Sequence, residues 1–271
     1  MSELRPRRRP SREVRRRRTL VVASIVAGGL VVVIAAVWGI SALAGQGSPT
    51  AAPHTSAKPT KSGTPSPTPT PTPTPTFNKA ANSLTDPNSI WVVVNKLTPL
   101  NPQDYVPPDL VDVPVPHTWD PQLRQEASDA VVAMFAAAQS EAGLTLASNS
   151  AYRSYDSQVS IYGDGSDPTT AKPGHSEHQT GLAIDIGADS GNCSLNVCFA
   201  DTPEGIWLHD NAWRFGFLLR YPADKVDVAG YPYEPWHYRY IGVPLATEMH
   251  NTGITTLEEF FGLPAAPDYA P

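Results

Sequence analysis

Residues 176–185 read Ser-Glu-His-Gln-Thr-Gly-Leu-Ala-Ile-Asp, and the rest of the fold is organised around this stretch. Its second half alternates as a β-strand does, so the aliphatic residues share one face and Asp185 points from the other. Gly181 permits a turn that folds His178 back over the Asp185 face. A converging imidazole and carboxylate are two of the three protein ligands that a catalytic zinc site needs. Taken alone, the pair has an alternative interpretation, in which the histidine lies in a loop, the aspartate lies in a strand, and the two share no partner.

A second segment, residues 233–240, supplies what the first one lacks. It reads Tyr-Glu-Pro-Trp-His-Tyr-Arg-Tyr and places Glu234 three residues before His237. Zinc hydrolases combine three protein ligands with an open position for water and a carboxylate that takes the proton of that water. We therefore expect one Zn²⁺ bound by His178, Asp185 and His237, with Glu234 as the catalytic base. The alternative is an aromatic edge strand that carries two polar residues by chance.

A third motif, Ser-Ala-Tyr-Arg-Ser-Tyr-Asp-Ser-Gln at residues 150–158, completes a resemblance. With the two segments above, it is similar to the VanY-type D-alanyl-D-alanine carboxypeptidases. These are zinc enzymes of the class that includes lysostaphin-like peptidases and the hedgehog signalling domain. The similarity extends from about residue 90 to about residue 241. Three motifs in the right order are specific for the family and less specific for the bond that is cleaved.

The resemblance implies that Arg153 faces the substrate, in one of two roles. Its planar guanidinium can bind the free carboxylate of the substrate, or it can stabilise the oxyanion beside the metal. Gln158 and Ser176 are weaker candidates for substrate contacts, and each has a local hydrogen-bonding alternative. Arg239 is the next cation in position for the substrate carboxylate, because it lies on the His237 strand and in phase with that ligand.

The first 44 residues have the pattern of a membrane anchor. Residues 1–18, a basic cytoplasmic tail, contain nine arginines and two glutamates, and residues 19–44 contain no charge. An uncharged stretch of 26 residues is long enough to span a bilayer, and arginines before it place the N-terminus in the cytoplasm. A cleaved signal peptide is the alternative, because Ala42-Leu43-Ala44 has the small residues of a cleavage site. In both cases the remainder lies outside the cytoplasm.

The composition of the exported part indicates a disordered stem and an acidic net charge. Residues 45–80 form a Pro/Thr-rich stem that cannot bury a core and favours extended polyproline II. Beyond residue 45 there are 11 Lys+Arg (20 minus 9) and 24 Asp+Glu (26 minus 2), a net charge of −13. This acidity argues against nucleic acid or anionic lipid as a partner. The two cysteines, Cys193 and Cys198, are expected to form a disulfide outside the cytoplasm, with free thiols as the alternative.

Residues 81–263 are expected to form the catalytic domain, followed by a tail at 264–271. Strand patterns occur at 90–94, 144–148, 182–186, 217–220 and 238–241, and helical patterns at 120–142, 154–162, 204–215, 243–251 and 255–260. Helices and strands mix without regular βαβ alternation. The predicted fold class is therefore α+β, with a small, mostly antiparallel sheet, flanking helices and a zinc cleft.

The resulting prediction is a monomeric, single-pass membrane enzyme whose catalytic domain faces the cell wall. It is expected to remove the terminal D-alanine of peptidoglycan stem peptides. A peptidoglycan endopeptidase or a D,D-dipeptidase on the same scaffold is the nearest alternative. A non-catalytic, wall-binding zinc domain is the alternative from another class, and Glu234 argues against it because a binding site needs no base.

Overall fold

The structure is a computed structural model that describes residues 76–270. Its helices and strands follow in the order β1 (Leu110–Asp112), β2 (Gln122–Arg124), α1 (Gln125–Ala142), β3 (Leu146–Ser150), α2 (Tyr155–Tyr162), β4 (Ala183–Ala188), α3 (Pro203–Asn211), β5 (Phe217–Leu219), α4 (Val226–Ala229), β6 (His237–Tyr240), α5 (Val243–Thr252) and α6 (Leu257–Phe261). Short 3-10 helices lie at Glu177–Thr180, Val197–Asp201 and Ala212–Phe215. Strands β3-β4-β6-β5 form one antiparallel sheet, and β1 pairs antiparallel with β2. The predicted α+β class with small antiparallel sheets and flanking helices is confirmed.

Strand β4 occupies the interior of the larger sheet, between β3 and β6. Leu182, Ile184 and Ile186 have no exposed surface and belong to the largest apolar cluster. Asp185 points from the opposite face toward the cleft. The alternation in the sequence therefore predicted both the core face and the functional face of this strand.

The helix α1 begins later than its sequence pattern predicts. It starts at Gln125 rather than at the Asp120-Pro121 pair, because residues 122–124 pair with β1 as a short strand. The cross-strand hydrogen bonds thus override the local capping signal. The C-terminal end agrees with the prediction, since Gly143 takes the left-handed conformation and its N–H bonds the last carbonyls.

Residues 90 and 91 lie in a turn and residues 92–94 have no regular secondary structure, so the strand predicted at 90–94 is wrong. Their side chains still alternate: Trp91 and Val93 pack in one apolar cluster, and Val92 in the other. The carbonyls of Ile90 and Val92 accept hydrogen bonds from the Arg239 guanidinium, at 3.1 and 2.9 Å. A side chain therefore satisfies two of the backbone groups that a neighbouring strand would otherwise bond.

The folded part extends beyond the predicted bounds of 81 and 263 at both ends. Phe77 stacks on Trp91 with ring centroids 5.8 Å apart. Near the other end, the Tyr269 hydroxyl accepts a hydrogen bond from the backbone N–H of Lys172. Within residues 76–270, no helix is both long and apolar enough to cross a membrane. The predicted anchor at 19–44 and most of the predicted stem lie outside the described residues.

The two cysteines are bonded to each other, which confirms the predicted disulfide between Cys193 and Cys198. The bridge closes a loop that follows β4 and leads into the 3-10 helix Val197–Asp201. Leu195, within this loop, has a φ of 50° and is half-exposed at the edge of the cleft. The loop therefore contributes an apolar side chain to the cleft wall.

Candidate metal centre and active site

Three metal-ligand side chains from different parts of the chain converge beside the sheet. Asp185 in β4 and His237 at the start of β6 are directly opposed across the two strands. His178 lies in the 3-10 helix Glu177–Thr180, which precedes β4. One ligand atom of each residue lies within 4.8 Å of the other two, and all three side chains are buried. The structure thus brings together the residues that the sequence predicted as ligands.

The turn between His178 and β4 depends on Gly181. Its φ of 66° lies in the left-handed region, and its N–H donates to the His178 carbonyl at 3.2 Å. A Cβ at this position would lie 2.9 Å from Leu110 Cδ2. The turn at Gly181 that the sequence predicted is therefore present, and both backbone conformation and space require glycine there.

The outer hydrogen bonds of the two histidines indicate which ring atoms face a metal. His178 Nδ1 lies 2.7 Å from the Ala151 carbonyl oxygen. This leaves Nε2, which lies 3.4 Å from Asp185, as the atom that can bind a metal. His237 Nε2 lies 3.3 Å from a Glu177 oxygen, which leaves Nδ1, 3.1 Å from Asp185. Such outer partners fix the tautomer and orientation of metal-binding imidazoles. Two ring nitrogens and one carboxylate form a donor set that suits zinc.

The carboxylates around His237 alter its protonation in the metal-free protein. Burial opposes the charged imidazolium, but hydrogen bonds to Asp185 and Glu177 raise the pKa of His237 to about 9. The nearby histidines hold the pKa of Asp185 well below its usual value, against the effect of burial. Because a metal ligand must be deprotonated, the affinity of this site for a metal should decrease as the pH falls.

Glu234 lies beside the three ligands. The His237 N–H donates to the Glu234 carbonyl at 3.1 Å, and this turn brings the Glu234 carboxylate within 3.8 Å of His237 Nδ1. The Glu234 side chain is 14% exposed. Burial and, to a smaller extent, the charge of Asp185 raise the pKa of Glu234 to about 7. A carboxyl group that titrates near neutral pH can both accept and donate a proton.

Arg153 is tied to the metal loop and lines the same cleft. Its backbone N–H donates to the His178 carbonyl at 3.2 Å. Its guanidinium donates to Gln158 Oε1 at 3.1 Å and to Ser150 Oγ at 3.2 Å. Because the described structure uses only two of its five N–H groups, the others remain for a substrate anion.

Gln158 requires a correction. It is fully buried, its Oε1 accepts from Arg153, and its Nε2 donates to the Ala171 carbonyl at 2.7 Å. The amide is therefore engaged within the protein, and the predicted substrate contact is replaced by a role in holding Arg153. Its position in the first turns of α2 fixes this geometry.

The cleft around these groups has a volume of about 220 Å³. Ser176 lines it and is nearly buried, so its predicted contact with the substrate stays a prediction. The apolar and aromatic part of the wall consists of Ile161, Ala171, Leu195, Tyr221, Tyr231 and Trp236. The site thus combines a candidate metal-ligand set, a buried carboxyl group and a guanidinium in one cleft.

Sequence reasoning missed the buried charges behind His237. Arg239, expected as a second substrate cation, has no exposed surface and donates to a Glu177 oxygen at 3.0 Å. Arg220 bridges Glu177 and Glu258, which are equally buried. The only signal in the sequence was the phase of Arg239, two residues beyond His237, which correctly placed it on the ligand face of β6.

The fold and the site define a metal-dependent hydrolase of the peptidase type, and comparisons with known proteins narrow this class. Residues 120–243 match the family model described as VanY, D-alanyl-D-alanine carboxypeptidase. The putative carboxypeptidase YodJ of Bacillus subtilis (strain 168) is 42% identical over 192 residues, which cover 66% of this chain and 69% of the relative.

Two solved structures give the same result. The LdcB LD-carboxypeptidase is 43% identical, with a TM-score of 0.60 and coverage of 65% of this chain and 87% of that one. A mutant of the vancomycin resistance D,D-pentapeptidase VanY, in complex with Zn(II), is 32% identical, with a TM-score of 0.51 and coverage of 62% and 97%. The chain belongs to the VanY family of D-alanyl-D-alanine carboxypeptidases. The resemblance seen in the sequence and the predicted enzyme class are thereby confirmed.

Proposed function

We propose that the chain is a zinc-dependent carboxypeptidase that removes the terminal D-alanine of peptidoglycan stem peptides. The observation that carries the proposal is the buried set of His178, Asp185 and His237 with Glu234 beside it, in a member of a carboxypeptidase family. The donor set fits Zn²⁺, and the carboxyl group beside it distinguishes a catalytic site from a purely structural one. The Zn(II) complex of the related VanY supports the choice of metal.

The residues of the chain have separate roles in this reaction. His178, Asp185 and His237 would hold Zn²⁺, which would act as a Lewis acid that lowers the pKa of water and polarises the scissile carbonyl. Glu234 accepts the proton of the water that attacks this carbonyl, and the same carboxyl group then protonates the leaving amine. The raised pKa of Glu234 suits both transfers. Arg153 binds an anionic group of the substrate, and Ser176 offers a hydroxyl at the cleft wall.

A second candidate is supported by one of the structural relatives. LdcB is an LD-carboxypeptidase, and its sequence is more similar to this chain than that of the D,D-pentapeptidase is, at 43% against 32% identity. The two activities differ in the bond before the last D-alanine. A D,D-enzyme shortens a pentapeptide that ends in D-Ala-D-Ala, and an L,D-enzyme shortens a tetrapeptide that ends in a single D-alanine.

Release of amino acids from both peptides decides between these candidates. The purified exported domain should release D-alanine from the pentapeptide, lose this activity with a chelator and recover it with Zn²⁺. Release from the tetrapeptide alone would establish the L,D-carboxypeptidase. Release of the intact dipeptide would establish a D,D-dipeptidase, and cleavage within cross-linked peptides an endopeptidase. Zinc binding without any cleavage would leave a wall-binding domain.

We further propose that residues 19–44 retain the enzyme at the membrane, with the catalytic domain on the cell-wall side. The support is the basic tail before an uncharged stretch of 26 residues. The full chain should then sediment with membranes, and protease added from outside should release the domain by cutting in the stem. A soluble exported form that begins near residue 45 would instead establish a cleaved signal peptide.

A further inference from the structure

Four buried charged side chains form a chain of contacts that begins at Glu258 in α6 and ends beside His237. Glu177, Arg220, Arg239 and Glu258 have side chains with no exposed surface. Arg220 forms two hydrogen bonds with the Glu258 carboxylate, at 2.7 and 3.0 Å, and donates from Nε to Glu177 Oε1 at 2.8 Å. Arg239 donates to the same Glu177 oxygen at 3.0 Å. The negative charges of the two carboxylates balance the positive charges of the two guanidinium groups.

The two oxygens of Glu177 have different partners. Oε1 accepts from both guanidinium groups, whereas Oε2 lies 3.3 Å from His237 Nε2. Oε2 therefore faces an imidazole N–H and leaves His237 Nδ1 on the side of Asp185 and His178. The orientation of this ligand thus depends on a carboxylate whose own position is fixed by two arginines.

Stability alone is a poor explanation for such an arrangement. Burying charges costs several kcal/mol for each ion, and apolar residues of similar volume often serve stability as well or better. This network is also anchored beyond the ion pairs: Asn95 donates to Glu258, and Arg239 donates to the carbonyls of residues 90 and 92. Residues 90–95, the two arginines and Glu258 therefore together constrain the Glu177 carboxylate, which contacts His237.

We infer that Glu177 is a positioning residue for the metal site. Arg220 and Arg239 hold its carboxylate, and this carboxylate orients His237 so that Nδ1 can bind the metal. The inference rests on the zinc site of the proposed function. A carboxylate behind a metal-binding imidazole fixes its tautomer and strengthens it as a donor. Glu258 belongs to the same network but lies at its far end, where it contacts Arg220 and Asn95.

An amide at position 177 cannot serve both partners of the carboxylate. If its oxygen accepts from the arginines, its NH₂ group faces His237 Nε2 and favours the tautomer that carries the proton on Nδ1. If its oxygen faces His237, the NH₂ group faces two guanidinium donors. Glu177→Gln should therefore weaken zinc binding as well as the network.

Glu258→Gln is a matched control, because it makes the same chemical change against the same Arg220 at a distance from His237. Zinc affinity of the full chain is measured by competition with a chromophoric chelator, and folding by circular dichroism. We expect Glu177→Gln to lower zinc affinity by about 10–100-fold, the usual effect of losing an outer partner of a metal ligand. Glu258→Gln should lower the melting temperature and leave zinc affinity unchanged. The absorption bands of the Co²⁺-loaded protein should shift in the first variant only.

Three outcomes would overturn the inference. Parent-like zinc affinity in a folded Glu177→Gln protein would show that Glu177 does not position His237. Equal losses of affinity in both variants would show that the network acts only through stability. If Glu177→Gln does not fold, Glu177→Asp keeps the charge but shortens the side chain, and unchanged affinity in that variant would also refute the inference. Absence of zinc binding by the parent chain would instead reject the proposed function.

Discussion

Replacing Arg153 by alanine tests how the enzyme recognises the end of its substrate. A carboxypeptidase must bind a free carboxylate one residue beyond the scissile bond, and an unpaired charge in a buried cleft is costly. Arg153 lines the cleft with the metal ligands, and Gln158 and Ser150 hold its guanidinium. The other two arginines near the site are committed elsewhere, because Arg220 and Arg239 are buried in ion pairs with Glu177.

The magnitude follows from the type of bond that is lost. A hydrogen bond to a charged group contributes about 1.5–3 kcal/mol, which corresponds to a factor of about 10–150 in kcat/KM. Arg153→Ala should lose this factor on a peptide with a free C-terminal carboxylate. On the C-terminal amide the parent enzyme should already be slow, and the substitution should cost little more. The assay is kcat/KM for the acid and the amide with both enzymes, analysed as a double-mutant cycle.

Arg214→Ala is the control, since Arg214 forms a half-exposed ion pair with Glu141 on the surface. It should leave all values unchanged. Equal losses on acid and amide would assign Arg153 to the oxyanion and refute the carboxylate role. Efficient cleavage of the amide by the parent enzyme would favour an endopeptidase instead.

Three further predictions concern the base, the buried charges and the disulfide. Glu234→Gln should keep stoichiometric zinc and lower kcat by about 10²–10⁴-fold, as measured by metal analysis and D-alanine release. Although burial opposes ionisation, Arg220 holds the pKa of Glu258 below its usual value. This stabilisation is therefore complete above the usual pKa of 4.5 and is lost as the pH falls through the pKa of the folded state. In urea unfolding of the metal-free domain, the free energy of unfolding of Glu258→Gln should therefore lie below that of the parent at neutral pH, and the difference should shrink in acid. Replacing Cys193 and Cys198 by serine should lower the free energy of unfolding by about 2 kcal/mol.

Each of these predictions has an outcome that contradicts it. Loss of zinc in the Glu234 variant would make that residue a ligand, and full turnover would remove it from the mechanism. A stability deficit for Glu258→Gln that stays constant from neutral to acid pH would mean that the carboxylate is not ionised in the folded protein. Unchanged urea midpoints for the serine variant would show that the small loop is ordered without its bridge.

The convergence of the three candidate ligands could be predicted from the sequence because their placement follows from local rules. Alternation sets the face of Asp185, and a glycine sets the turn that returns His178. The spacing of Glu234 and His237 places base and ligand in one turn. The Glu177 network could not be predicted in the same way, since its members come from parts of the chain up to 81 residues apart (258 minus 177). A buried Arg239 and an exposed one have the same sequence pattern, and only the packing of residues 90–94 and α6 distinguishes them.

The register between β4 and β6 explains why core and metal site depend on one another. Asp185 and His237 are opposed residues, so a slip of one position would turn Asp185 toward the apolar side and place Ile184 at the cleft. The complete burial of Leu182 and Ile184 opposes that slip, because it would expose aliphatic surface and bury a carboxylate. Arg239 adds a second constraint from the same strand, since its guanidinium reaches Glu177 only when His237 faces Asp185. The alternation that forms the core therefore also fixes the metal ligands, and the buried charges hold the register from the other side.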